Sequence, residues 1–262
     1  LKQGKAFFHI GCSGHEAAQL AAAKNLNSGK DWIYPYYREA ALCIGLGMTG
    51  KEQLLSFLAR GDDPNSGGRQ MPQHYGHKNL RIVSQSSPTG TQFLQAVGSA
   101  MSRKWEKTKE VVYVSSGEGS TSEGEFHEAL NWSSREKLPV IFHIQDNEYA
   151  ISVHISEQTS GSSVHSMVAG YQNLSRFDVD GTNFFETDLA FKQAVDRARK
   201  GKGPSVIVSH VVRLLPHSSS DDQRKYRTEK DLESDKSRIY LAPKFGTFVN
   251  NNFLIEGGLN YM

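Results

Sequence analysis

Cysteine is scarce in this chain: Cys12 and Cys43 are its two thiols. Two thiols cannot build a disulfide framework or a four-ligand zinc site, and they read as reduced thiols in a cytosolic setting. No apolar run reaches the ~20 residues that span a bilayer, and no basic-then-apolar leader follows Leu1. Excess charge is missing too. The net charge is +2, the basic residues are scattered, and no nucleic-acid motif is present, so neither nucleic acid nor a membrane surface is expected as a partner. The complete Gly-Lys-Ser/Thr phosphate loop is absent, which sets aside a nucleoside triphosphatase. There are no internal repeats.

What is present is ordinary globular material. With 262 residues, 37% hydrophobic and 22% charged, the chain can bury a full core. Ala-rich His15 to Leu26, Arg38 to Ile44, Lys51 to Ala59, Thr91 to Trp105, Glu123 to Lys137 and Phe184 to Lys200 read as helices. Val111 to Val114, Val140 to Ile144, Asn173 to Val179 and Pro204 to Val212 read as strands. Gly29 to Tyr37 reads as a loop, and Gly61 to Ser87 as a long irregular stretch of the kind that is usually functional or disordered. Strands alternating with helices predict an α/β fold, a mostly parallel sheet with helices on both faces. Ligands of such sheets bind beyond the carboxyl ends of the strands.

Two turns occupy such ends. Gly117-Glu118-Gly119 follows the first of the two central apolar runs, and Asp146-Asn147-Glu148-Tyr149 follows the second. A carboxylate and an amide emerging side by side suit a hard cation such as Mg²⁺, which keeps phosphate oxygens among its ligands. A helix beginning after the glycine turn favours an anion at the same spot. Gly-x-Gly alone is weak, since a tight turn with a solvated glutamate would look the same. A dinucleotide site is the competitor, but Gly124 comes too late for its third glycine.

Other candidates carry less on their own. His217 is either an exposed loop histidine or a proton-transfer group held by the Ser218-Ser219-Ser220-Asp221-Asp222 loop. Tyr37-Arg38 is either a helix-start pair or a guanidinium fork for phosphate oxygens. Ser86-Ser87-Pro88-Thr89-Gly90-Thr91-Gln92 is a capped turn, or a set of oxygens for a ligand or monovalent cation.

Three longer phrases are far more specific. Gly117-Glu118-Gly119-Ser120-Thr121-Ser122-Glu123-Gly124, then Asn147-Glu148-Tyr149-Ala150-Ile151-Ser152, and Gly68-Arg69-Gln70-Met71-Pro72 with His74-Tyr75-Gly76 together resemble the α subunit of the thiamine-diphosphate-dependent first component of 2-oxoacid dehydrogenase complexes, the branched-chain 2-oxoisovalerate type above all. The resemblance runs from Leu1 to about Arg227. It implies a thiamine-diphosphate-binding fold over residues 1–230 and decarboxylation of a 2-oxoacid, with acyl transfer to a lipoyl group of the acyltransferase component. It also implies that Glu118, Asn147 and the Tyr149 carbonyl hold Mg²⁺, with Gly117, Gly119 and Ser120 in the same cradle. Tyr37 and Arg38 would contact the diphosphate, and Ser87 and Thr89 the aminopyrimidine. Ser86, Pro88, Thr91 and Gln92 would form a K⁺ loop, and His217 would face the reacting carbon. The implied partners are a β subunit or β domain, in a two-α, two-β assembly, and a lipoyl domain. The implied location is the cytoplasm of a bacterium or the mitochondrial matrix of a eukaryote.

Departures from that pattern are also legible. The family has a further N-terminal segment that grips the partner. Gln145 stands where some relatives carry a basic residue. Residues 231–262 read as an atypical tail, helical over Lys230 to Ser237, with a short β-hairpin within Tyr240 to Met262 that would pack poorly on the core. The alternatives are a pyruvate or acetoin dehydrogenase α subunit, and a non-catalytic α-like chain.

Overall fold

The computed structural model describes Leu1 and residues 4–241. Its strands are β1 (Trp32–Tyr34), β2 (Val112–Gly117), β3 (Val140–Asp146), the two-residue β4 (Tyr149–Ala150) and β5 (Val153–His154), β6 (Ser175–Asp180) and β7 (Ser205–His210). Its α-helices are α1 (Glu16–Asn25), α2 (Ala40–Gly45), α3 (Gly50–Phe57), α4 (Thr91–Trp105), α5 (Gly124–Glu136), α6 (Ile155–Gln158), α7 (Val164–Met167), α8 (Phe184–Arg199) and α9 (Glu229–Leu241). Among them no helix is long and apolar enough to cross a membrane.

Five strands form one all-parallel sheet in the order β1-β2-β3-β7-β6. The period of two along each strand divides the core into two layers. Tyr113, Ile141 and Ile207 face α1, α2 and α8. Val112, Val114, Val140, Phe142, Val206 and Val208 face α4, α5 and α7. Burial on both faces explains why these strands read as near-continuous apolar runs.

The sequence reading missed β1, placing Trp32–Tyr34 inside a loop. Three residues ending at Pro35 are too few to show a periodic pattern. The strand is held from outside instead: the guanidinium groups of Arg81 and Arg103 lie over the Trp32 ring at 5.1 and 5.7 Å, and its indole donates to Glu110. Helix α2 starts at Ala40 rather than Arg38, which leaves Tyr37 and Arg38 in the connection at the carboxyl end of the sheet. Glu123 is extended rather than helical, and a 3₁₀ turn over Glu118–Ser122 intervenes before α5. Tyr240 and Leu241 belong to α9; the rest of the expected hairpin lies outside the described residues.

Asp31 pins the amino-terminal end of the sheet. It is fully buried, accepts from the backbone N–H groups of Asn27 and Val111, and holds both terminal nitrogens of Arg199 at 2.7 and 3.1 Å. Removing it strands a guanidinium and two N–H groups. Asp31→Ala should lower the unfolding free energy by about 3 kcal/mol, the lower end for a broken buried pair because Arg199 retains some exposure. Urea titration measures this, and a loss below ~1 kcal/mol would show that Asp31 does not anchor the strand.

Candidate functional site at the carboxyl ends of the strands

The register between β2 and β3 pairs Gly117 with Gln145, so the residues that leave both strands emerge together. The Asn147 backbone N–H donates to Glu118 Oε2 at 3.2 Å. Glu118 is buried at 1% exposure, and its other oxygen, Oε1, has no hydrogen-bond partner. Burial pushes this carboxyl up to about 7, and the charge of Asp146 adds to the effect. An ionised, unpartnered oxygen in such a place is costly unless a cation satisfies it. The donor set of Glu118 with the Asn147 amide therefore fits Mg²⁺.

Asn147 Oδ1 accepts from the Tyr149 N–H at 3.3 Å and turns the chain into the β4–β5 hairpin. The hairpin closes over the glycine turn. A Cβ on Gly119 would lie 2.7 Å from the Ala150 Cβ, so a side chain there would displace the hairpin. The Tyr149 carbonyl faces Arg213 Nη1 at 3.5 Å, while Arg213 Nη2 donates to the Ile151 carbonyl at 3.0 Å.

A second group assembles around Arg38, which is 3% exposed. Its Nη1 donates to the Gly11 carbonyl at 2.7 Å, and its Nη2 lies 3.1 Å from the His217 carbonyl and 3.3 Å from His217 Nδ1. The Tyr37 ring meets the His217 ring edge-on at 5.7 Å. Burial first, then the charges of Arg38 and Arg213, push His217 down to about 4, so its imidazole is neutral near pH 7. The His217 loop is hydrogen-bonded within itself and to Arg213. Asp221 Oδ2 accepts from the His217 N–H at 2.8 Å and from the Tyr226 hydroxyl at 2.5 Å, and Arg213 Nη2 donates to Tyr226. Asp222 takes no part and pairs with Arg224. The Tyr37 phenol is raised chiefly by burial, and the Glu118 charge adds to it, which puts the two groups within electrostatic reach.

The remaining sequence candidates are more dispersed. Ser120 is turned inward, its hydroxyl bonded to Ser116 Oγ and the Gly117 carbonyl. Ser87, Pro88 and Thr89 are exposed, and Ser87 Oγ meets His74 Nε2 at 2.6 Å. Ser86 and Thr91 are half-buried. Gln92 is buried, donates to the Ser115 carbonyl at 3.1 Å, and keeps Oε1 unpartnered.

A buried polar network behind Arg38 escaped sequence reasoning. Gln145 Oε1 accepts from Gln19 and from His15 Nδ1, both at 2.9 Å, and its amide donates to Glu39. Gln19 also donates to the Arg38 carbonyl at 2.7 Å and accepts from the Ala41 N–H, which fixes the start of α2. The Tyr113 hydroxyl lies 2.9 Å from Glu39 Oε1 and 2.7 Å from His143 Nδ1, and His143 Nε2 lies 3.0 Å from Ser209 Oγ. Burial lowers both His15 and His143 to about 3 and raises Glu39 to about 8. A neutral Glu39 can donate to the phenol, the phenol to His143, and His143 to Ser209, which satisfies that branch; on the other branch the buried His15 Nε2 has no partner. Polar residues interrupting the apolar strands (Tyr113, His143, Gln145) were the available signal.

Comparison with known proteins adds relatives to this geometry. The family model described as "Dehydrogenase E1 component" matches residues 1–252. The 2-oxoisovalerate dehydrogenase subunit alpha of Bacillus subtilis (strain 168) is 43% identical over 235 residues, covering 90% of this chain and 71% of that protein. A 3-methyl-2-oxobutanoate dehydrogenase subunit alpha of Mycobacterium tuberculosis (strain ATCC 25618 / H37Rv) is 34% identical over 258 residues, covering 97% and 65%. The mitochondrial 2-oxoisovalerate dehydrogenase subunit alpha of Homo sapiens is 36% identical over 234 residues, covering 88% and 51%. The chain thus spans 51% to 71% of the length of these curated relatives.

Glu39 supplies a test of the network. Its folded value of about 8 lies above the ordinary carboxyl value of 4.5. Between those limits the folded state keeps a proton that the unfolded state has released, so stability falls as pH rises and levels off above about 8. Glu39→Gln should match the native chain near pH 5 and exceed its urea midpoint near pH 8. Equal pH slopes for the two proteins would refute a protonated Glu39.

Proposed function

This chain belongs to the dehydrogenase E1 component family, whose members depend on thiamine diphosphate, and from that premise we propose that it is the α subunit of a branched-chain 2-oxoacid dehydrogenase. The observation that carries the reading is the buried, unpartnered Glu118 Oε1 beside Asn147, at the carboxyl ends of two neighbouring parallel strands. Its reaction is decarboxylation of a 2-oxoacid, with the acyl group passed to a lipoyl group of the acyltransferase component. Thiamine diphosphate, when bound, supplies the electron sink that lets CO₂ leave.

The chain's own residues have separable tasks. Glu118, Asn147 and the Tyr149 carbonyl would hold Mg²⁺ against the diphosphate, with Gly117, Gly119 and Ser120 shaping the cradle. A metal at the Tyr149 carbonyl requires Arg213 to lean on the Ile151 carbonyl, its shorter contact. Tyr37 and Arg38 would bind diphosphate oxygens. Ser87 and Thr89 would orient the aminopyrimidine, and Ser86, Pro88, Thr91 and Gln92 would hold K⁺, a reading supported by the unpartnered Gln92 Oε1. Arg38 donates toward His217 Nδ1, which favours the tautomer with its proton on Nε2. His217 would therefore offer Nε2–H as a hydrogen bond to the reacting centre and stabilise charge there as the acyl group departs.

Activity requires a second polypeptide or domain. A β subunit or β domain, in a two-α, two-β assembly, would supply the glutamate that activates the aminopyrimidine. The assembly would work in the cytoplasm of a bacterium or the mitochondrial matrix of a eukaryote.

Calorimetric titration with thiamine diphosphate and Mg²⁺, with and without the β partner, is the primary test. Binding in the assembled protein is expected, and absence of binding in both arms rejects the reading. Glu118→Gln should weaken Mg²⁺-dependent binding by more than about 100-fold, beyond what loss of an outer-shell partner costs. His217→Ala should retain cofactor binding and lose lipoyl acylation; full overall turnover in that variant would remove His217 from the reaction.

A further inference from the structure

A groove of about 420 Å³ opens at the amino-terminal end of the sheet, where Lys109, Pro139 and Gly201 lead into β2, β3 and β7. Strands of six or seven residues at ~3.3 Å each put it about 20 Å from the Glu118 and Asn147 turns. Seven of its twelve lining residues are Lys or Arg, and one, Glu136, is acidic.

The ordinary explanation is that cations complement helix carboxyl ends, since α4, α5 and α8 all end here. It covers part of the set. Glu136, Asp31 and Asp196 pair with Lys104, Arg199 and Lys200, and the helix ends offset about one and a half charges more. A net charge of roughly two to three remains, because Lys107, Lys109 and Lys137 have no ion-pair partner among the described residues and Arg135 shares Glu136 with Lys104. Two of these three lysines also sit in costly backbone. Lys107 has φ 55° and Lys137 φ 50°, each just past a helix end where glycine is favoured. Helix α8 uses Gly201, φ 66°, in the equivalent place. Glycine would be less strained at both positions, yet each carries a cation facing the groove's other lysines and arginines.

We propose that this groove docks an acidic peptide segment of a partner protein, at the end of the sheet opposite the site assigned above. The chemistry selects a peptide over a compact phosphate. The groove floor is formed by helix carboxyl ends, which present carbonyls rather than the N–H groups a phosphate takes up. Its free cations stand on long side chains of two separate connections, α4 to β2 and α5 to β3, which suits carboxylates distributed along a chain. Trp105, 72% exposed in the last turn of α4 beside Lys104, offers an apolar contact for such a segment. The chain's own residues 242–262 do not fit the role, since Lys244 and Glu256 leave them without net charge.

The test uses the chain assembled with its β partner and a fluorescein-labelled ten-residue peptide with glutamate at alternate positions. Lys107→Gly and Lys137→Gly remove charge while relieving the left-handed backbone, so folding should be kept and the melting temperature unchanged or raised. Combined with Lys109→Glu, they should weaken peptide binding about tenfold, the scale of three exposed ion pairs. A control of equal charge change, Lys51→Glu with Lys78→Glu, should leave the affinity within twofold. Equal loss in the control would reduce the effect to net charge and overturn the proposal. So would unchanged binding in the groove variant, or inorganic triphosphate binding the groove more tightly than the peptide.

Discussion

The parallel register of β2 on β3 is the constraint from which the candidate site follows. Because Gly117 lies opposite Gln145, the carboxylate that leaves one strand and the amide that leaves the next share a single location. A shift of one residue would reverse the faces of Tyr113 and His143 and empty two packed layers at once. The core therefore enforces the site's geometry: the side chains that bury the sheet are the ones that set where Glu118 and Asn147 emerge.

Behind that pair, the protein devotes buried volume to polar groups in place of apolar packing. Gln145, Gln19 and Glu39 tie β3 to the connection that carries Tyr37 and Arg38. Such a network rigidifies only when every member is satisfied. Its neutral histidines and protonated carboxyl keep unpaired charge out of the interior, and His15 Nε2 is the one named ring nitrogen left without a partner. Gln145 is thus the hub of the network, and its buried contacts leave it little to offer a diphosphate directly.

The long elements were legible from periodicity, and α4, α5, α8, β2, β3 and β7 lie where the patterns put them. The glycine turn and Asn147 were legible because strand ends and turn residues carry their own signals. Less was legible where the signal is short or tertiary. β1 is three residues long and exists by virtue of its pairing with β2 and the cations around Trp32. The Arg38 contacts join residues far apart in sequence, so Tyr37-Arg38 could not be told from a surface pair. The 3₁₀ turn before α5 depends on Glu123 adopting an extended backbone, and the residue type does not dictate that.

The two outer strands of the sheet have a consequence for how this chain can associate. On one side, the backbone of Ile33 in β1 is taken up by the Arg81 carbonyl and the Val83 N–H. On the other, β6 carries Arg176, Asp178 and Asp180 along its length. A covered edge and a charged edge both resist the addition of a further strand, the route by which open sheets aggregate. Recognition of any other polypeptide is thereby left to the side chains of helices and loops, where specificity can be encoded residue by residue.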